Sequence, residues 1–132
     1  MAGSPLDEPT LDLLDKSIEV DMLTPRRDGS ISSRPIWVVV VDGDAYVRSY
    51  LGPRGAWYRR ALADSRAAIG VDGQTVEVAV EPEHDEDVNR RVSEAFRAKY
   101  GARSPGSTET MVNPDVSATT LRLTRAASEK MS

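Results

Sequence analysis

Three Asp-Gly pairs, Asp28-Gly29, Asp42-Gly43 and Asp72-Gly73, each stand between strand-like runs. Such pairs suit tight hairpins, because both central residues of a type I′ turn need positive φ, which Gly adopts freely and Asp tolerates. Only antiparallel neighbours can be joined by so short a turn. A chain punctuated this way is therefore committed to an antiparallel meander.

The flanking runs agree. Ile18, Val20 and Met22 alternate with Glu19 and Asp21, a period of two that predicts a half-buried strand. Ile36 to Val41 is apolar throughout and reads as a central strand covered on both faces, with Pro35 able to begin it but not to sit inside it. Ala45 to Leu51 pairs back across Asp42-Gly43, and Ala67 to Val71 with Thr75 to Val80 forms another hairpin. Ser117 to Arg125 alternates again.

Helical spacing intervenes between these runs. Thr10 is placed to N-cap a short helix carrying Leu11, Leu13, Leu14 and Ile18. In GAWYRRALADS, Trp57, Tyr58, Ala61 and Leu62 share one side. Asp85, Glu86 and Asp87 open a third helix with the acids its N-terminal dipole favours, and Val88, Val92, Ala95, Phe96 and Tyr100 trace its apolar face. Residues 101–116, with Pro105, Gly106 and Pro114, read as a long polar loop, either a mobile tether or a lid whose Thr108, Thr110 and Asn113 reach a ligand. The expectation is an α+β fold of about six antiparallel strands and two or three short helices. Six short strands remove their exposed edges by curling into a barrel. Residues 10–125 form the one domain that 132 residues support, between a loose arm (1–9) and a flexible tail (126–132).

Composition narrows the chemistry. With no cysteine and one histidine, the chain has no thiolate nucleophile, disulfide or multi-histidine metal site. The lone His84 lies in an acidic run that helix capping explains, and it reads as a surface residue. A net charge of -4 argues against nucleic acid held by bulk electrostatics. The acidic start lacks a signal peptide's basic and apolar regions, and the six apolar residues from Ile36 fall far short of a membrane span, so a soluble cytoplasmic protein is expected. Dinucleotide, Walker and nucleophile-elbow motifs are absent from the sequence. Any redox chemistry would therefore come from a cofactor.

The run AYVRSYLGPRGAWYRRALADSRAAIGVDGQTVEVAV resembles the central stretch of flavin-binding split-barrel proteins of the pyridoxamine-phosphate-oxidase-like superfamily, above all the deazaflavin-dependent nitroreductase branch and a related group of small uncharacterised proteins. Upstream, TPRRDGSISSRPIWVV is similar to the Gly-Arg-x-Ser-Gly hairpin and Arg-x-x-Pro strand of that branch, although the order differs and Ala63-Asp64-Ser65 replaces an Asn-Pro turn. The resemblance spans roughly residues 18–125 and rests on the order and spacing of elements. It implies a six-stranded split barrel that dimerises, binds FMN or a deazaflavin at the subunit interface and transfers hydride to a small organic substrate.

Residues 26–66 hold eight arginines against four aspartates, a net +4 inside an acidic chain. By the resemblance, Arg26, Arg27, Arg34, Arg48, Ser49 and Arg59 are candidate phosphate contacts, arginine's planar fork being suited to that group. The other reading is that most are solvated hairpin and helix charges. Trp57 and Tyr58 would wall the ring or simply dock their helix, and the backbone of Ile36 and Trp37 would touch the ring. Tyr58 is the catalytic candidate, with Tyr46 and Tyr50 as further proton donors. The missing family motifs favour one rival, a cofactor-free ligand, isomerase or cyclase site in the same cleft; a second rival is a non-enzymatic, purely structural dimer.

Overall fold

A computed structural model describes residues 3–126. The elements run α1 (Glu8–Lys16), β1 (Val20–Pro25), β2 (Ile31–Ile36), β3 (Val39–Val41), β4 (Asp44–Val47), α2 (Ala56–Asp64), β5 (Arg66–Val71), β6 (Gln74–Pro82), α3 (Glu86–Tyr100), α4 (Pro105–Met111), α5 (Pro114–Ser117) and β7 (Leu121–Arg125). The tail expected from 126 onward falls outside the described residues beyond Ala126.

All three Asp-Gly pairs join antiparallel strands, but by two kinds of turn. Asp42-Gly43 and Asp72-Gly73 are two-residue turns with φ of 50° and 84°, and 51° and 75°, as type I′ requires. At Asp28-Gly29 only the glycine is left-handed, at 92°, and five residues separate the paired ends Pro25 and Ile31. Asp28 there accepts hydrogen bonds from the backbone and hydroxyl of Ser30.

The seven strands form one antiparallel sheet in the order β2-β1-β5-β6-β7-β4-β3. Its two edges, β2 and β3, are consecutive in the chain, with only Trp37 and Val38 between them. Six flat strand spacings would hold those edges about 29 Å apart. The three residue steps from Ile36 to Val39 reach at most about 11 Å. The sheet must therefore curl until its edges nearly meet, which is a barrel split at Trp37–Val38.

This geometry corrects the reading of Ile36 to Val41 as one central strand. The run is broken at the split, and β3 is an edge. It is still covered on both sides: Ile36 and Val38 join the barrel interior, while Val39, with Trp37 and Val41 against it, joins a second core beneath α3. The seventh strand is β2, whose ISSRPI sequence buries only Ser32 and Ile36 and so lacks apolar alternation. Residues 101–116 are not a loop. They hold α4 and α5, each begun by a proline, with Asn113 capping α5 through the Val116 N–H and with Thr108, Met111 and Val116 buried. The first helix starts at Glu8 because Asp7, rather than Thr10, is the cap. Ahead of it, Gly3 donates to Glu81, Arg125 donates to the Ser4 carbonyl and Leu6 enters the core, so residues 3–6 lie along β7.

Val38 leaves the sheet's hydrogen bonds at the split, and two side chains of α3 replace them. Lys99 Nζ donates to the Val38 carbonyl at 2.8 Å and to the Leu14 carbonyl at 3.1 Å. Tyr100 Oη accepts from the Val38 N–H at 3.3 Å and donates to the Ile18 carbonyl at 2.7 Å. Burial pushes the Tyr100 phenol up to about 12, so it stays neutral and available for both bonds. Tyr100→Phe leaves a buried N–H and a carbonyl without this partner and is expected to cost about 1–3 kcal/mol, read by urea denaturation.

Candidate functional site

The split opens into a cavity of about 190 Å³. Trp37, in the two-residue link, lies flat on Tyr100 with ring centroids 3.9 Å apart and 1° between planes. Trp57 reaches the same cavity from the first turn of α2, and Ile36 from the end of β2. Arg48, just past β4, lines it too. Five sequence candidates therefore converge: Ile36, Trp37, Arg48, Tyr50 and Trp57. The structure adds Glu19, Pro35, Ser107 and Met111. Ser107 and Met111 went unrecognised because they lie on α4. Glu19 was visible only as the polar half of an alternation.

Arg48 is the largest fully buried side chain, 1% exposed. Its Nε donates to Thr120 Oγ1 at 2.8 Å, Nη1 to Ser93 Oγ at 2.8 Å and to the Met111 carbonyl at 3.0 Å, and Nη2 to the Asn89 carbonyl at 2.9 Å. Its guanidinium carbon lies 5.5 Å from the Phe96 ring centroid. None of these acceptors is charged, and among the described residues no carboxylate pairs with it. Burial, followed by repulsion from Arg97, pushes its pKa down to about 10, which leaves it cationic at neutral pH.

The neighbouring Ser49 is closed on the protein. Its N–H donates to Thr119 Oγ1 at 2.9 Å and its hydroxyl to the Gly52 carbonyl at 2.8 Å, tying down the turn into α2. Tyr58 packs against the barrel interior edge-on to Trp57, with centroids 6.2 Å apart and 88° between planes, and burial raises its pKa. Tyr46 is buried in the second core, its pKa raised to about 12 mainly by burial. Of the three tyrosines proposed as proton donors, Tyr50 lines the cavity.

The remaining arginines lie elsewhere. Arg26 and Arg27, on the β1–β2 turn, line a separate concavity of about 440 Å³ with Arg60 and Asp28. Arg26 there donates to Ser30 Oγ at 3.1 Å, and Arg60 Nε to Thr24 Oγ1 at 3.0 Å. Arg60 follows Trp57 by three residues on α2, so one helical turn carries a wall of each concavity. Arg34 on β2 and Arg59 on α2 are exposed and line neither cavity. His84 is exposed as well. Thr108 and Asn113 are engaged within their own helices. No helix among the described residues is long and apolar enough to cross a membrane.

The family model described as "Uncharacterized protein conserved in bacteria (DUF2255)" matches residues 10–123. No curated protein matches the chain by sequence. Among solved structures, the fold is similar to HutZ, a heme storage protein from Vibrio cholerae, with 14% identity, TM-score 0.60, and coverage of 94% of this chain and 92% of that one. An F420 reductase is similar at 16% identity and TM-score 0.58, covering 92% and 97%. A FAD-binding protein from Mesorhizobium loti is similar at 19% identity and TM-score 0.56, covering 96% and 95%. At these identities the likeness is one of fold, and that fold is the split barrel.

Proposed function

The chain belongs to the DUF2255 family, and from that premise we propose that it binds FMN or a deazaflavin coenzyme between two copies of itself and serves hydride transfer to a small organic substrate. One observation carries the reading: a single turn of α2 presents Trp57 to the aromatic cavity at the split and Arg60 to the three-arginine concavity. A planar ring with a phosphorylated tail needs both kinds of surface. The F420 reductase and the FAD-binding protein among the structural neighbours give the same fold a flavin-type ligand.

The donor set fits the two ends of such a molecule. Ile36, Trp37 and Trp57 offer apolar and aromatic surface for the ring. Arg26, Arg27 and Arg60 offer guanidinium forks for a phosphate. Bound there, the group would supply hydride donation and acceptance. The protein's part is to hold it, exclude water and present the Tyr50 phenol at the cavity. At about 190 Å³ the cavity lies below the ~300–1,000 Å³ of ordinary ligand pockets. One chain therefore encloses only part of the ligand, and the second copy supplies the remainder. Exposed Tyr50 and Leu51, at 51% and 66%, give that copy apolar surface to cover.

The same small volume favours a second reading, a cofactor-free site for a small anion beside Arg48. Titration with FMN, the deazaflavin coenzyme and riboflavin separates the two. The cofactor reading expects micromolar binding of a phosphorylated flavin, at least about tenfold tighter than riboflavin for a charge-assisted phosphate contact, on a dimeric protein by light scattering. A monomer that binds none of the three at high micromolar concentration leaves the second reading.

A further inference from the structure

We infer that the cavity at the split selects a small amphoteric molecule, one that carries a carboxylate and a protonated nitrogen on an apolar body. The inference deepens the reading above by naming a substrate class, and it takes from that reading only that this cavity is the ligand site.

Two opposite charges border the same small space. On the buried side is Arg48, four of whose N–H groups meet neutral oxygens. Neutral acceptors satisfy the donors without cancelling the charge, so the positive potential persists in a wall of low dielectric. A guanidinium has five N–H groups, and the fifth has no acceptor among the described residues. On the exposed side is Glu19, which also lines the cavity and forms no ion pair among the described residues. Trp37, Trp57 and Tyr50 line the same cavity.

A molecule with a carboxylate alone gains at Arg48 and is repelled by Glu19. An amine alone gains at Glu19 and on the aromatic faces, which attract cations, but it meets the buried guanidinium. A molecule bearing both charges answers both. The part of the cavity that one chain encloses, about 190 Å³, is where both charges lie, so it is a small, doubly charged portion of the occupant that they recognise.

The test uses the full chain and three probes of nearly equal size: L-phenylalanine, phenylacetate and 2-phenylethylamine, titrated by calorimetry at neutral pH with and without FMN. L-Phenylalanine should bind at least about tenfold tighter than either singly charged probe, the gain expected of one further complementary charge pair. Glu19→Gln, an exposed substitution, should reduce L-phenylalanine to the level of phenylacetate and tighten phenylacetate itself. The inference is overturned if phenylacetate equals L-phenylalanine in the wild-type protein, if Glu19→Gln leaves their ratio unchanged, or if no probe binds. FMN binding without that ratio sinks the substrate class and leaves the cofactor reading standing. The ratio without FMN binding does the reverse.

Discussion

Arg48→Met should lower the unfolding free energy by about 2–4 kcal/mol, a drop in Tm on the order of 10 °C for a domain of this size. Methionine fills much of the same volume, so the cavity term is small and the polar groups decide the outcome. The Met111 and Asn89 carbonyls lose their donor inside the protein, at about 1–3 kcal/mol each. The contact with Phe96 goes too. Against this stands the relief of removing a buried charge that no carboxylate among the described residues balances. The bonds should win, because Arg48 ties β4 to α3, α4 and the approach to β7 at once. Urea denaturation followed by circular dichroism checks it. Unchanged or raised stability would mean that the burial cost exceeds the worth of the bonds, and that the charge is kept for a ligand.

A charge reversal at the other end of the site should act on binding alone. Arg26→Glu with Arg27→Glu places two carboxylates where the reading puts a phosphate. It should weaken FMN by about 100-fold or more, the combined loss of charge-assisted bonds and added repulsion. Riboflavin, which has no phosphate, should change little. Both arginines are exposed, and the turn bonds lost with the Arg26 side chain, to Ser30 Oγ and the Ile31 carbonyl, are exposed too while Asp28 still holds Ser30, so stability should stay within about 1 kcal/mol. Equal affinity of the variant and the wild-type protein for FMN would remove this concavity from the phosphate site. A parallel loss of riboflavin binding would point to a distorted hairpin instead.

Some of the site was legible before any coordinates. The family resemblance singled out Arg48 and Ser49, mid-strand just before the loop, as phosphate donors, and left Trp57 to wall the ring or to dock its helix. What could not be read was whether such groups face a ligand or the protein. Ser49 proved to be bonded wholly within its own turn and to Thr119. The arginine cluster of residues 26–66 divides between two cavities and open surface because its members lie on the β1–β2 turn, within β2, just past β4 and on α2. Ser107 and Met111 enter through α4, whose weak apolar pattern hid a helix that proline begins and tertiary burial completes.

Local chemistry alone determined the antiparallel hairpins, the α2 and α3 helices and the alternating faces, because turn φ preferences, capping and periodicity act over a few residues. Tertiary structure decided that β2 and β3 are the two rims of one sheet, that Trp37 and Val38 bridge them, and that an arginine lies buried beside the opening. Those facts depend on how far a seven-stranded sheet must curl before a two-residue link can span its edges. No short window of sequence contains that closure condition, since it is a property of all the strands together.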